Sequence, residues 1–393
     1  MKRIILLCVL FTALTTSIGC ILEARNVTAN AELASTPVTN AVTAKKTKIQ
    51  VAILLDTSGS MQGLIEQAKS RLWNIVNTLT TLKYKGDTPE IEIALYEYGS
   101  YMLYKGDYIR QITPLTVDLD LISKELFALT TSGSEEYCGT VIQRAVKELE
   151  WGRNDADMKL VYIAGNEEFT QGSVSYKTAI ADALKKNIFV NTIHCGDEEI
   201  GIRDYWKDAA LRGNGKFFNI NADATVRAVK TPFDPQIILC NNKLNDTYIS
   251  YGSTGRERKM NQIAQDKNAG TISSANYAER AVSKSGSAYK NTSWDLVDKM
   301  KEDQNVLSSI KKDELPQELQ NKSTEEIKSI ITQKEKERTA IQKEIAELAI
   351  KRQAYIEEQL KKEGDDSGDD LGKAITSSIL TFANLKGYTV EAE

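Results

Sequence analysis

"VAILLDTSGSMQG", Val51 to Gly63, runs five apolar residues straight into an acid and two hydroxyls at alternate positions, Asp56, Ser58 and Ser60. The apolar run, Ile49 to Leu55 with Gln50 inside it, suits a strand buried on both faces. From Leu64 to Leu82 the spacing changes: Leu64, Ile65, Ala68, Leu72, Ile75, Val76 and Leu79 recur at helical intervals. A strand therefore turns into a helix, and the three oxygen-bearing side chains stand at the junction. The same alternation continues downstream. Strands are expected at 91–99, 108–116, 159–165, 188–196 and 216–220, with helices at 120–129, 140–151, 176–187 and 202–213 between them. Strands alternating with helices predict an α/β fold, a doubly wound and mostly parallel sheet flanked by helices. In such sheets ligands bind beyond the carboxyl ends of the strands.

Oxygen-only donors suit a hard cation, Mg²⁺, Mn²⁺ or Ca²⁺, and one carboxylate with two hydroxyls leaves coordination positions open. "DTSGSM" after an apolar strand, followed some eighty residues on by "CGTVIQRAV", resembles the von Willebrand factor A domain and its metal-ion-dependent adhesion site. The resemblance spans Lys48 to Arg227. It implies that Asp56, Ser58 and Ser60 form the first element of a metal site, that Thr140 forms the second, and that the metal takes an acidic side chain from a protein partner. The third element departs from the family. In "YIAGNEEF" (162–169) the position of the expected aspartate is Gly165, with Asn166 and Glu167 one and two places later. Asn166 offers a carbonyl and Glu167 a carboxylate. The competing reading is a retained fold with a degenerate site, in which Ser58 and Ser60 only cap the following helix.

The chain begins as an exported protein would. Lys2 and Arg3 precede "IILLCVLFTAL", a run the length of a secretory signal core and short for a bilayer span. "TTSIGC" then resembles the lipobox of bacterial lipoproteins, with Ser17 where leucine is preferred and Cys20 as the residue that would be lipidated. Lipidation at Cys20 and simple cleavage of a signal over 1–20 are the two readings. Residues 21–47 are small and polar, as a flexible linker would be. The expected location is the periplasm, or the membrane through a lipid anchor, of a bacterium.

The 393 residues carry a net charge of −4 with 41% apolar and 26% charged content, an ordinary globular balance with no nucleic-acid signature. No phosphate loop, nucleophile elbow or zinc-ligand spacing occurs, and His194 is the single histidine. The reading is non-enzymatic. Beyond the signal stand Cys138, Cys195 and Cys240. A bridge from Cys138 to Cys195 suits a fold in which both lie near the metal edge, and free buried thiols are the alternative. After a domain at 48–229, residues 230–298 read as an irregular and helical connector and 299–393 as a charged helical region. Between Thr324 and Leu360, Ile327, Ile331, Ile341, Ile345, Leu348 and Tyr355 follow heptad-like spacing that Lys334, Arg338 and Arg352 interrupt. That favours a helix packed on its own domain over a self-pairing coiled coil. "EGDDSGDDLG" (363–372) lacks the spacing of an EF-hand loop. Two functions follow: an interaction module working through a divalent metal, or a metal-free scaffold making its contacts through the helical C-terminal region.

Fractionation of expressing cells is expected to place the mature protein outside the cytoplasm, with membrane retention lost in Cys20→Ala. A cytoplasmic pool of full-length chain would refute export, and retention unchanged in the variant would refute the anchor.

Overall fold

The computed structural model describes residues 46–226, 228–363 and 371–390. The expected signal, nearly all of the linker and most of the acidic stretch at 363–372 lie outside the described residues. The strands are β1 (Lys48–Asp56), β2 (Leu82–Tyr84), β3 (Glu90–Tyr98), β4 (Ile109–Thr116), β5 (Met158–Gly165), β6 (Ile188–Cys195), β7 (Asn214–Ile220) and β8 (Tyr388–Val390). The first helices are α1 (Gln62–Thr80), α2 (Leu119–Phe127), α3 (Cys138–Glu148), α4 (Tyr176–Lys185), α5 (Glu198–Arg203) and α6 (Trp206–Arg212). The later ones are α7 (Asp234–Asn245), α8 (Gly255–Ile272), α9 (Ser274–Ser285), α10 (Leu296–Glu302), α11 (Thr324–Glu363) and α12 (Leu371–Leu385).

Six strands form one sheet in the order β4-β3-β1-β5-β6-β7, parallel except for β4, which runs antiparallel at one edge. The chain leaves β1 toward β3 on one side and later returns to β5 on its other side. The switch point, and the crevice it opens, therefore lies beyond Asp56 at the carboxyl end of β1.

Alternation along β1 divides the core. Ile49, Val51, Ile53 and Leu55 enter one apolar cluster, and Ala52 and Leu54 the other. On the second face lie α3, α4 and α6, through Val141, Ile142, Ala145, Ala179, Ile180 and Trp206. On the first face, α1 and α2 supply Leu64, Leu72, Ile75, Val76, Ile122 and Leu126. That cover is completed from the far end of the chain. α12 lies beside α1 and contributes Ile375, Ile379 and Phe382, with the Phe382 ring tilted against that of Phe189 of β6, their centroids 4.8 Å apart. Ser378 donates to Asn191 of β6 at 2.9 Å, and β8 pairs antiparallel with β2.

The remaining helices form an outer layer held by buried ion pairs. Arg280 of α9 contacts Asp120 of α2 at 2.5 Å and Asp266 of α8 at 3.1 Å, and its guanidinium lies 4.3 Å from the ring of Trp73. α11 packs on α7, α9 and α10. Its heptad-breaking arginines are its attachments: Arg338 pairs with Asp295 (2.7 Å) and Asp298 (2.8 Å), and Arg352 with Asp234 (3.0 Å). Ile327, Ile331, Ile345 and Leu348, which would line a self-paired seam, are buried within this chain. From Lys46 onward the protein is one compact unit.

Phe382→Ala should cost about 3–5 kcal/mol in urea unfolding followed by circular dichroism. Leu380→Ala, at an exposed position on the same helix, should stay within about 0.5 kcal/mol. Equal effects would show that α12 does not complete the core.

Candidate metal site

Three loops meet beyond the carboxyl ends of β1 and β3, and backbone hydrogen bonds fix their register. Thr57 donates to Tyr98 O (2.8 Å), Ser132 to Thr57 O (2.9 Å), Gly59 to Gly133 O (3.0 Å) and Tyr101 to Ser132 O (3.1 Å). This brings the strand end at Asp56 against the segment 132–137 that leads into α3.

Asp56 forms the floor and is fully buried. Its Oδ1 accepts from the Ser58 backbone N–H at 2.7 Å, whereas its Oδ2 meets no donor. Above it the hydroxyls of Ser58 and Ser60 stand 3.2 Å apart, Ser58 buried and Ser60 open to solvent. The Asn166 amide reaches Ser60 Oγ at 3.3 Å. Thr140 occupies the first turn of α3 and is nearly buried. The structure thus joins Asp56, Ser58, Ser60 and Asn166 by contact and sets Thr140 at the same edge. Glu167 is placed differently. Its exposed side chain meets Gln171 at 3.5 Å, and its backbone carbonyl accepts from Trp206 Nε1 at 2.8 Å.

The sequence reading missed Glu136. This residue is 2% exposed, and its carboxyl lies against both Asp56 and Ser58. Its backbone N–H donates to Gln171 Oε1 at 3.3 Å. The only sign in the sequence is an acidic pair in "SGSEEYCGT" (132–140), just ahead of the helix that carries Thr140. Tyr98 and Gly99 were missed as well. Tyr98 Oη donates to Ala164 O at 2.9 Å in the centre of the floor. Gly99 has φ of +88°, and a Cβ there would stand 2.6 Å from Asp56 Oδ1, so the loop can cross the carboxylate only as glycine.

Burial pushes the Asp56 carboxyl well above the usual carboxylate range, and the neighbouring Glu136 adds to the shift. Burial raises Glu136 too, and the charge of Glu167 adds to that effect against the hydrogen bonds from Asp56 and Ser58. Burial likewise holds the Cys138 thiol far up, 4.0 Å from Tyr98 Oη.

Cys138 and Cys195 are not bridged; both are free buried thiols, as is Cys240. The reason is the sheet between them. Cys138 packs into the cluster on one face and Cys195 into the cluster on the other.

No three acidic, histidine or cysteine side chains converge on one point among the described residues, so any cation here would depend on hydroxyl and amide oxygens as well. The donor set fits a hard divalent ion. Asp56 has a carboxylate oxygen without a donor and a second acid beside its carboxyl, with the Ser58 and Ser60 hydroxyls next to them.

Residues 50–224 match the von Willebrand factor type A domain, and the chain carries such a domain there. No curated protein sequence matches the chain. Among solved structures it is similar to an aerotolerance-related membrane protein from Bacteroides fragilis NCTC 9343 with multiple mutations to serines (16% identity, TM-score 0.32, 44% of this chain and 93% of that one). It is also similar to the conserved hypothetical protein BatB from Bacteroides thetaiotaomicron (16% identity, TM-score 0.34, 44% and 90%). A third is proximal thread matrix protein 1 from the mussel byssus, with a zinc-occupied MIDAS motif (15% identity, TM-score 0.34, 44% and 42%).

Both raised acids stay protonated in the fold at pH values where the unfolded chain has released its protons. The folded state then binds more protons, and unfolding free energy falls as pH rises. In chelator-treated protein the pair's contribution should be complete below about pH 4 and decline above it. Asp56→Asn should flatten that decline in urea midpoints taken between about pH 4 and 7; an unchanged slope would show that the pair does not titrate in this way.

Proposed function

We propose that this von Willebrand factor type A domain binds a protein partner through a divalent cation held at the carboxyl edge of its sheet, on the outer side of a bacterial cytoplasmic membrane. The observation that carries the reading is the buried Asp56 carboxylate with Oδ2 left without a donor beneath the Ser58 and Ser60 hydroxyls. A buried acid in that state is destabilising unless a cation or a proton compensates it. Asp56, Ser58, Ser60 and Thr140 would hold Mg²⁺, Mn²⁺ or Ca²⁺, with Asn166 beside them. The ion would supply positive charge with a position open for a partner's carboxylate.

The chain's own residues shape what can approach. Ser60 is the solvent-side member of the set, and exposed apolar side chains stand on the segments that follow β3 and β6 at the same edge. Met102 follows β3, and Ile200, Ile202 and Tyr205 follow β6. A polar centre with apolar groups around it suits an acidic side chain presented on a protein surface. Nothing in this arrangement supplies a nucleophile with a base, so the reading is binding without turnover. Export and the lipid anchor at Cys20 belong to the same proposal and rest on the N-terminal sequence pattern.

The test is thermal and chemical unfolding of the full mature chain, stripped with chelator and titrated with Mg²⁺, Mn²⁺ or Ca²⁺. Stabilisation of about 2.7 kcal/mol is expected at a hundredfold excess over Kd, and Asp56→Ala should abolish it while leaving the far-UV circular dichroism unchanged. If none of the three ions shifts the wild-type transition, the metal reading fails and the metal-free scaffold takes its place.

A further inference from the structure

The position where the family pattern places an aspartate is closed in this fold. A Cβ at Gly165 would stand 2.5 Å from Tyr98 Oη and 3.1 Å from Asp56 Oδ2. Tyr98 is fixed there, fully buried, by its hydrogen bond to Ala164 O. No side chain at 165 can reach the floor of the site unless this ring moves. Asn166 and Glu167, the next residues along the strand end, do not fill the gap. The Asn166 amide meets only the outermost hydroxyl, and the Glu167 side chain is turned out to Gln171.

The acid that does reach the floor comes from the opposite loop. A Cβ at Gly99 would lie 2.6 Å from Asp56 Oδ1 and 3.2 Å from Glu136 Cγ, so the two acids flank one point. Glu136 is held there by its loop: Gly99 and Glu135 form a bridge, and Gly133 O accepts from Gly59. Asp56 Oδ2 is buried with no donor, on the Gly165 side of the same carboxyl. Two buried carboxyls against each other do not strengthen a fold by themselves. A divalent ion between them would be neutralised by the pair, and the Ser58 hydroxyl touches both acids.

We propose that Glu136 supplies the second carboxylate of the cation site, taking the place of the side chain that Tyr98 excludes at Gly165. This rests on the metal reading above and names a ligand within it. The site is then assembled from β1 and the loop before α3, and the loop after β5 contributes only its rim.

The experiment is Mn²⁺ binding to the chelator-stripped full chain, by titration calorimetry and by loss of the free-ion paramagnetic signal, with melting curves of the metal-free proteins. Wild type should bind. Glu136→Gln should lose at least tenfold in affinity, Glu136→Asp should keep more affinity than Glu136→Gln, and Glu167→Gln should stay within twofold. Metal-free Glu136→Gln should melt no lower than wild type, because the amide replaces a buried acid that burial makes costly to ionise. Wild-type binding with Glu136→Gln within twofold overturns the assignment. So does equal loss in the Asp and Gln variants, which would mean that the shape of Glu136 matters and its charge does not. A purely structural Glu136 would show as a lower metal-free melting temperature with affinity unchanged. Failure of the wild type to bind Mn²⁺ overturns the metal reading itself, and this ligand with it.

Discussion

A mostly parallel sheet has apolar residues on both sides and must be covered on both, and the arrangement of this molecule follows from how that is done. One face is closed locally, by α3, α4 and α6 from the segments between its own strands. The other begins locally with α1 and α2 and is finished by α12. The outer helices then need their own attachment. Arg280, Arg338 and Arg352, all buried, tie α9 and α11 to acids on α2, α7, α8 and α10. Arg280 also lies over Trp73 and 5.2 Å from the ring of Tyr289, so its charge is enclosed by acids and aromatic faces together. Removing one partner from such a group would strand the other in the interior, which binds these helices to a single arrangement.

The same topology sets the candidate site. β1 is central, with β3 on one side and β5 on the other, and its last residue is placed where the neighbouring strand ends also open. Asp56 is buried because of that position, not because anything nearby neutralises it. Gly99 exists to let the next loop pass the carboxylate, and Tyr98 occupies the space under Gly165. The residues around Asp56 are thus explained by sterics first. What sterics leave unexplained is Oδ2, buried without a donor.

The sequence disclosed most of the sheet and part of the site. The six strands of the main sheet and most helices along 48–220 followed from periodicity, because buried strands and amphipathic helices leave different spacings, whereas the short β2 and the separate α5 did not. Asp56, Ser58 and Ser60 were legible because they are contiguous. Glu136 was not, since its place depends on backbone bonds between Thr57 and Ser132 and between Gly59 and Gly133, which side-chain pattern does not encode. The interrupted heptads of α11 were legible, but the acids that meet Arg338 and Arg352 lie about 40 and 118 residues upstream. The expected cysteine bridge failed for a related reason: proximity to one edge says nothing about which face of the sheet a thiol enters.

The placement of α12 also governs the order in which the molecule can be made. Leu371 N–H meets Gln67 Oε1 across 304 positions of chain, and Tyr388 Oη reaches Lys48 O across 340. A ribosome delivers β1 more than three hundred residues before α12. Until α12 emerges, one face of the sheet, including Phe189 and the neighbours of Ile375, lacks this cover. Closing loops of that length is entropically slow, and the nascent chain carries an exposed apolar surface for most of its synthesis. The sheet therefore remains open on one face until α12 has been made, and a chain lacking α12 would leave that face as a surface for aggregation or for a chaperone.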